Sequence, residues 1–124
     1  MSTIVPNIRG MSPLLPVADL DRSLAFYSEH LGFTIDFRYE DFYAGMVKDN
    51  FTIHFKCGKP DPAEREDRRK NEDLDLVFAV SAIGELYDAM KGGPVQIIQP
   101  LREMPYGREF YISDPDGYII SFIE

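Results

Sequence analysis

The sequence predicts an α+β fold in which tandem β-α-β-β-β modules form a curled eight-stranded mixed sheet with helices outside. Short strand-like runs surround one amphipathic helical stretch in each half of the chain, and the same order of elements recurs after about 60 residues. A strongly polar segment separates the halves. We therefore expect a single domain at 1–124, with modules at 10–57 and 74–124 joined by a connector at 58–73.

The first module begins with a strand and a helix. The run from Met11 to Val17 is apolar but contains two prolines, which predicts an edge strand or one that is paired on a single side. Asp19 is a suitable N-cap for a helix whose apolar side chains recur every three or four residues, and Gly32 is a suitable end. Three short strands follow in the segments "TIDFRYE", "YAGMVKDN" and "FTIHFKCG".

The connector and the second module are interpreted in the same way. The connector has almost no apolar side chain, so we expect a solvated surface there, and the spacing of Asp61, Pro62 and Glu64 permits a short helix. The second module repeats the pattern with the strand "LDLVFAV", a helix capped by Ser81, and the strands "VQIIQP", "REFYIS" and "YIISFIE". Each helix can cover one face of a four-stranded sheet, so the opposite faces are expected to curl around a concavity that suits a ligand.

Composition and charge narrow the classes of function. The chain is 44% hydrophobic and 27% charged, with a formal net charge of −8. An acidic surface repels phosphate backbones, which disfavours a nucleic-acid partner and suits a cationic ligand. The single cysteine, Cys57, excludes an intrachain disulfide and fits a reducing compartment. We find no signal peptide and no apolar run of the roughly 20 residues that cross a bilayer, so a cytoplasmic protein without membrane contact is expected.

Two long motifs carry a family resemblance. The segments "VADLDRSLAFYSEHLGF" and "YGREFYISDPDGYIISF", about 80 residues apart, resemble the vicinal oxygen chelate superfamily of glyoxalases, extradiol dioxygenases, fosfomycin-resistance enzymes and bleomycin-resistance proteins. Within it, "EDFYAGMVKDNFTIHF" and the "GREF" run at 107–110 look most like the bleomycin-resistance proteins. The resemblance implies the glyoxalase/bleomycin-resistance fold, whose tandem modules match the pattern of elements above.

The resemblance also implies where enzymatic members would bind a divalent metal. The matching positions here are Ser12, His54, Asp75 and Ser121. A divalent ion needs three or more good protein ligands, and serine hydroxyls are weak, neutral donors. Glu124, the only carboxylate on the last strand, is expected to face away from Ser121 and to fray at the terminus. The sequence therefore predicts no metal site, no cofactor and no catalytic residue.

Eight side chains are expected to line the concavity or its mouth and to contact a ligand. They are Phe37, Phe42, His54, Asp75, Tyr106, Arg108, Glu109 and Ser121. The aromatic rings suit stacking on a flat ligand, and the acidic groups suit a cation. Structural roles are the alternative for several of them: a hydrogen bond between Asp75 and Ser12 or His54, and an ion pair between Arg108 and Glu109.

The sequence thus favours a dimeric, metal-free protein of the bleomycin-resistance type, which sequesters a cationic or aromatic small molecule in grooves at the subunit interface. The resemblance implies the homodimer, and residues 1–9 could reach across it as an arm. Two alternatives stay open: a metal-dependent glyoxalase-like lyase or dioxygenase that uses His54, and a scaffold of the same fold with no ligand. No residue pattern identifies the ligand, and bleomycin is one candidate.

Overall fold

The computed structural model describes residues 4–124, and within them the chain forms eight strands and three helices. The strands are β1 (Leu14–Val17), β2 (Thr34–Tyr39), β3 (Tyr43–Lys48), β4 (Phe51–Cys57), β5 (Leu76–Ala79), β6 (Gln96–Met104), β7 (Gly107–Ser113) and β8 (Ile119–Ile123). The helices are α1 (Leu20–Leu31), α2 (Pro62–Lys70) and α3 (Ile83–Met90). Residues 1–3, the start of the expected arm, lie outside the described residues.

The strands form two four-stranded sheets, in the orders β1-β4-β3-β2 and β5-β8-β7-β6. In each sheet the first strand pairs in parallel with the last, and the other neighbours are antiparallel. The predicted α+β class is confirmed, with the eight strands divided between two hydrogen-bonded sheets. None of the helices within residues 4–124 has the length and hydrophobicity needed to cross a membrane.

Local signals explain the first helix and the sheet that it covers. The side chain of Asp19 accepts a hydrogen bond from the Arg22 amide, and Gly32 ends α1 with a φ of 77°. Leu24 and Tyr27 of α1 are buried against one side of the first sheet. That side consists of Leu15, Val17, Ala44, Met46, Ile53 and Phe55. Because side chains alternate along a strand, the intervening residues of β3 and β4 lie on the opposite face, which α1 leaves uncovered.

The helix of the second half begins differently from the prediction. Its N-cap position is Ala82, in the left-handed region with a φ of 55°, and Ser81 does not cap it. Instead the Glu124 carboxylate accepts hydrogen bonds from the Ala82 and Ile83 amides, at 3.0 Å each. Glu124 does not fray, because its backbone exchanges two hydrogen bonds with Arg108. These amide hydrogen bonds, that from Ile83 first, hold the pKa of Glu124 below its usual range.

The two halves meet where the "DPDG" turn between β7 and β8 packs on the start of α1. Asp114 accepts a hydrogen bond from the Tyr27 hydroxyl at 2.8 Å. Asp116 accepts from the Ala18 amide and from the side chains of Arg22 and Ser23. Apolar side chains from both halves also join one buried core cluster. The turn is therefore a joint between the halves as well as a connection between strands.

Candidate ligand-binding surfaces

The uncovered face of the first sheet carries a run of aromatic rings, which we call the aromatic strip. It consists of Phe37, Tyr39, Phe42, Tyr43 and His54. Phe37 lies at its centre, nearly parallel to Tyr43 at 6.0 Å and perpendicular to His54 at 5.2 Å between ring centroids. At the tip of the β2–β3 hairpin, Tyr39 and Phe42 stack at 6.3 Å and are more than half exposed. The strip thus offers ring surface to solvent.

Two local features fix the centre of the aromatic strip. Gly45 lies opposite Phe37 in the β2–β3 ladder, and a Cβ at this position would overlap the Phe37 ring. The Tyr43 hydroxyl and the Nδ1 atom of His54 are 2.8 Å apart, within hydrogen-bond distance. His54 therefore has a fixed ring orientation on the uncovered face, as its alternation with Ile53 and Phe55 predicted. Phe37, Phe42 and His54, three of the eight predicted site residues, come together here.

A second group of polar side chains surrounds Glu109 on the second sheet. This Glu109 cluster consists of Arg102, Tyr106, Glu109 and Tyr111. Glu109 is only 2% exposed, and its carboxylate accepts hydrogen bonds from Arg102 Nε at 2.8 Å and from the hydroxyls of Tyr106 and Tyr111. Burial raises the pKa of Glu109, but the hydrogen bonds from Tyr106, Arg102 and Tyr111 outweigh it and hold that pKa below its usual range.

The predicted ion pair between Arg108 and Glu109 is wrong. Adjacent residues of a strand point to opposite faces of the sheet, so their side chains diverge. The Arg108 guanidinium lies 3.6 Å from the Glu124 carboxylate, near the start of α3. Glu109 pairs instead with Arg102, which faces it across the β6–β7 ladder.

Asp75 is occupied by two arginines from α2. Its carboxylate lies 2.9 Å from Arg65 Nη1 and 3.2 Å from Arg68 Nη2, and it also accepts a hydrogen bond from the Ile119 amide. The predicted hydrogen bond to Ser12 or His54 is therefore wrong. The Asp75 side chain is 10% exposed, so its charge is neutralised inside the protein. The connector, expected to be only a solvated surface, supplies both neutralising groups.

The four positions that match metal ligands of the fold do not fit a divalent cation. The Ser12 hydroxyl hydrogen-bonds to Thr52, while His54 and Asp75 are held by Tyr43 and by the two arginines of α2. Ser121 is buried and pairs in register with Tyr111. Among the residues that the structure describes, no three His, Cys, Asp or Glu side chains converge into a ligand set.

The predicted site residues thus fall into separate groups. The aromatic strip holds three of them, the Glu109 cluster holds Tyr106 and Glu109, and Asp75 and Arg108 stand apart in ion pairs. The prediction did not include Tyr43, Arg102 and Tyr111 among its site residues. A signal for Arg102 was present, since a turn at "PYG" places it opposite Glu109 in a hairpin.

The chain is similar to known proteins along most of its length. A model of the Glyoxalase/Bleomycin resistance protein/Dioxygenase superfamily matches residues 11–122. The bleomycin resistance protein of Geobacillus stearothermophilus is 28% identical over 130 residues, which span 90% of this chain and 93% of that protein.

Solved structures share the fold. A bleomycin-binding protein complexed with bleomycin has a TM-score of 0.67 at 22% identity, covering 94% of this chain and 98% of that one. TnmS3, an antibiotic binding protein from Streptomyces sp. CB03234, has a TM-score of 0.71 at 17% identity, covering 96% and 98%. At these identities the likeness is one of fold.

Proposed function

This chain belongs to the glyoxalase/bleomycin resistance protein/dioxygenase superfamily, and from that premise we propose that it is a metal-free binding protein, not an enzyme. It would act in the cytoplasm as a homodimer and sequester a cationic or aromatic small molecule, without nucleic acid as a partner. A curated relative named bleomycin resistance protein is similar to this chain along nearly its whole length. Sequestration needs affinity alone, so it requires no reacting side chain.

The aromatic strip is the observation that carries this proposal. Planar rings stack on flat ligands, and complete burial of such a ring is worth roughly 1.5–3 kcal/mol, so covering a half-exposed ring contributes only part of that. Tyr39 and Phe42 are solvent-exposed in the chain, so their surface is available to a ligand. The centre of the strip is already ordered by Gly45 and by the Tyr43–His54 hydrogen bond, which lowers the entropy lost on binding.

The charges near the strip favour a cation. Asp36, Glu40 and Asp41 lie on or beside the β2–β3 hairpin and are exposed. Asp41 pairs with Arg38 at 3.0 Å, which leaves Asp36 and Glu40 for a cation. Asp75 and Glu109 are less suited to this role because arginines already neutralise them. We therefore propose Phe37, Phe42, His54 and Tyr106 as ligand contacts, with Glu109 acting by positioning Tyr106. Asp75 and Arg108 would have structural roles, and Ser121 lies too deep for direct contact.

A homodimer would cover apolar surface that the single chain leaves exposed. Leu14, Ile35 and Val77 are about half exposed. Residues 4–11 belong to no strand or helix, and their four large apolar side chains are 73–94% exposed. We propose that the second chain covers these surfaces and that the described part of the expected arm, residues 4–9, reaches across to it. Sedimentation equilibrium should give twice the chain mass of 14.2 kDa, and a monomer at micromolar concentration would contradict this part of the proposal.

Thermal unfolding with metal-free and Cu(II)-loaded bleomycin tests the binding function. A ligand at about one hundred times its dissociation constant stabilises the native state by about 2.7 kcal/mol, so a tight ligand raises Tm by several degrees. Phe42→Ala should reduce the shift, while Phe51→Ala should not. Phe51 is the same residue type and is 71% exposed against 57% for Phe42, but its ring makes no contact in the strip. If neither form of bleomycin raises Tm at millimolar excess, bleomycin is not the ligand, and the proposal fails for ligands of the bleomycin class. Stoichiometric metal in dialysed protein would support the enzymatic alternative.

A further inference from the structure

Helix α2 is attached to the protein without an apolar face. It has nine residues, and no side chain in it is buried. Asp61 caps it and Pro62 starts it, but a helix of this length is marginal in water on its own. Its helical state therefore depends on the contacts that hold it to the second half.

Those contacts are ionic and polar. Arg65 and Arg68 are three positions apart, which places both guanidinium groups on one side of α2, and both pair with Asp75. The Arg65 guanidinium also lies over the Tyr118 ring, 4.5 Å from its centroid. One carboxylate thus anchors the helix through two cations.

The surface under α2 is imperfectly packed. The Nε atom of Arg68 is buried with no hydrogen-bond partner within residues 4–124, and an unpaired buried donor weakens the docked state. A polar groove of about 270 Å³ separates part of α2 from the β7–β8 turn, and its walls include Arg69, Gln96 and Ser113. Few apolar contacts and an unsatisfied donor are typical of segments that open locally.

The end of the connector contacts one of the candidate surfaces. Glu72 lies two residues beyond α2 and pairs with Arg102 at 3.3 Å. Arg102 is the cation of the Glu109 cluster and donates hydrogen bonds to Glu109 and to the Tyr111 hydroxyl. When α2 moves away, Arg102 loses one of its two carboxylate partners.

We infer that residues 62–73 form a strap that is docked ionically through Asp75 and that detaches as a unit while both sheets stay folded. Because Glu72 pairs with Arg102, detachment of the strap also changes the contacts of the Glu109 cluster. Removing the charge of Asp75 leaves two guanidinium groups close together without a counter-charge, so the docked state loses its main attraction. The detached helix then unwinds because it is too short to persist alone.

Hydrogen exchange of the full-length chain, read by mass spectrometry, tests this strap. In the wild-type protein, amides at 65–71 should exchange through local opening that low urea does not accelerate, while amides of α1 and β7 follow global unfolding. Asp75→Asn should lower protection at 65–71 by about tenfold or more and leave the sheets protected, since asparagine can still accept from the Ile119 amide. Glu66→Gln is the control: it removes one negative charge from a side chain on the same helix that makes no ion pair within residues 4–124.

Three outcomes would overturn the inference. The strap is not docked ionically if protection at 65–71 is the same in Asp75→Asn and in the wild type. It is not an independent unit if these amides exchange only with global unfolding. Its coupling to the cluster is wrong if the amides of Met104, Tyr106 and Gly107 at the β6–β7 turn keep their wild-type rates in Asp75→Asn. Should that variant fail to fold, the Arg65→Gln/Arg68→Gln double variant gives the same three readings, and because no ligand is used, none of them depends on the proposed function.

Discussion

Asp114 is buried at the joint between the two halves, and Asp114→Asn is expected to change how stability depends on pH. Burial raises the pKa of Asp114 from its ordinary 3.8 to about 6. Between these two values the native protein holds a proton that the unfolded chain has released. The contribution of this group to stability is therefore fully present below pH 4 and is lost as the pH rises through about 6.

The size of the effect follows from the shift. Two pKa units, at about 1.4 kcal/mol each, correspond to roughly 3 kcal/mol of lost stability between pH 4 and pH 7. Asparagine has the same shape, and its Oδ1 still accepts from the Asp116 and Tyr118 amides, but the amide nitrogen that replaces Oδ2 can only donate to the Tyr27 hydroxyl, a weaker bond than the one that the anion accepts. That weaker bond costs about 1 kcal/mol. We expect a net gain of about 1–2 kcal/mol at pH 7.5 and a net loss below pH 4.

Urea unfolding followed by circular dichroism at pH 3.5, 6.0 and 7.5 measures this difference. The variant is compared with the wild type at each pH because Glu109 and Glu124, with lowered pKa values, contribute stability that is lost as the pH falls. Asp36→Asn, an exposed aspartate outside any ion pair in residues 4–124, controls for the loss of one charge. The reasoning is refuted if Asp114→Asn keeps the wild-type pH dependence, or if it is less stable by the same amount at every pH.

Three further substitutions test other parts of the structure. Glu124→Gln should lower Tm at neutral pH, and its difference from the wild type should shrink as the pH falls through the lowered pKa of Glu124, because the wild-type carboxylate caps α3 most strongly while ionised; scans at a series of acidic pH values measure this. Gly45→Ala should cost about 1–3 kcal/mol in urea unfolding, because the new methyl group overlaps the Phe37 ring; an unchanged midpoint would mean that the ring moves freely. Tyr106→Phe should destabilise the protein by about 1 kcal/mol by removing a hydroxyl donor from buried Glu109, and the pKa of Glu109, followed by carboxyl NMR shifts, should rise.

The sequence predicted those parts of the fold that depend on neighbouring residues. Asp19 and Gly32 mark the ends of α1 as expected, and Asp61 caps α2. Alternation along β4 correctly separated His54 from the buried Ile53 and Phe55. In each case the interaction that decides the structure lies within a few residues of the position predicted.

Partners that are distant in the chain were mostly missed. The cap of α3 comes from Glu124, 42 positions after Ala82, and no local pattern at Ser81 signals this. Arg108 and Glu109 are adjacent in sequence but diverge in space, so an ion pair inferred from adjacency was wrong. The shared face of Arg65 and Arg68 could have been found from their spacing on a helix, but nothing local indicates that Asp75 receives both of them.

The attachment of α2 to Asp75 would affect any attempt to engineer a metal site in this protein. Ser121→Glu would supply an additional oxygen donor at a buried position, but Asp75 would still be bound by two guanidinium groups. A zinc ion and the helix would then compete for the same oxygen atoms. Metal binding at such an engineered site should release α2 from Asp75. Cleavage of the released helix by trypsin would then report metal uptake without any enzymatic assay.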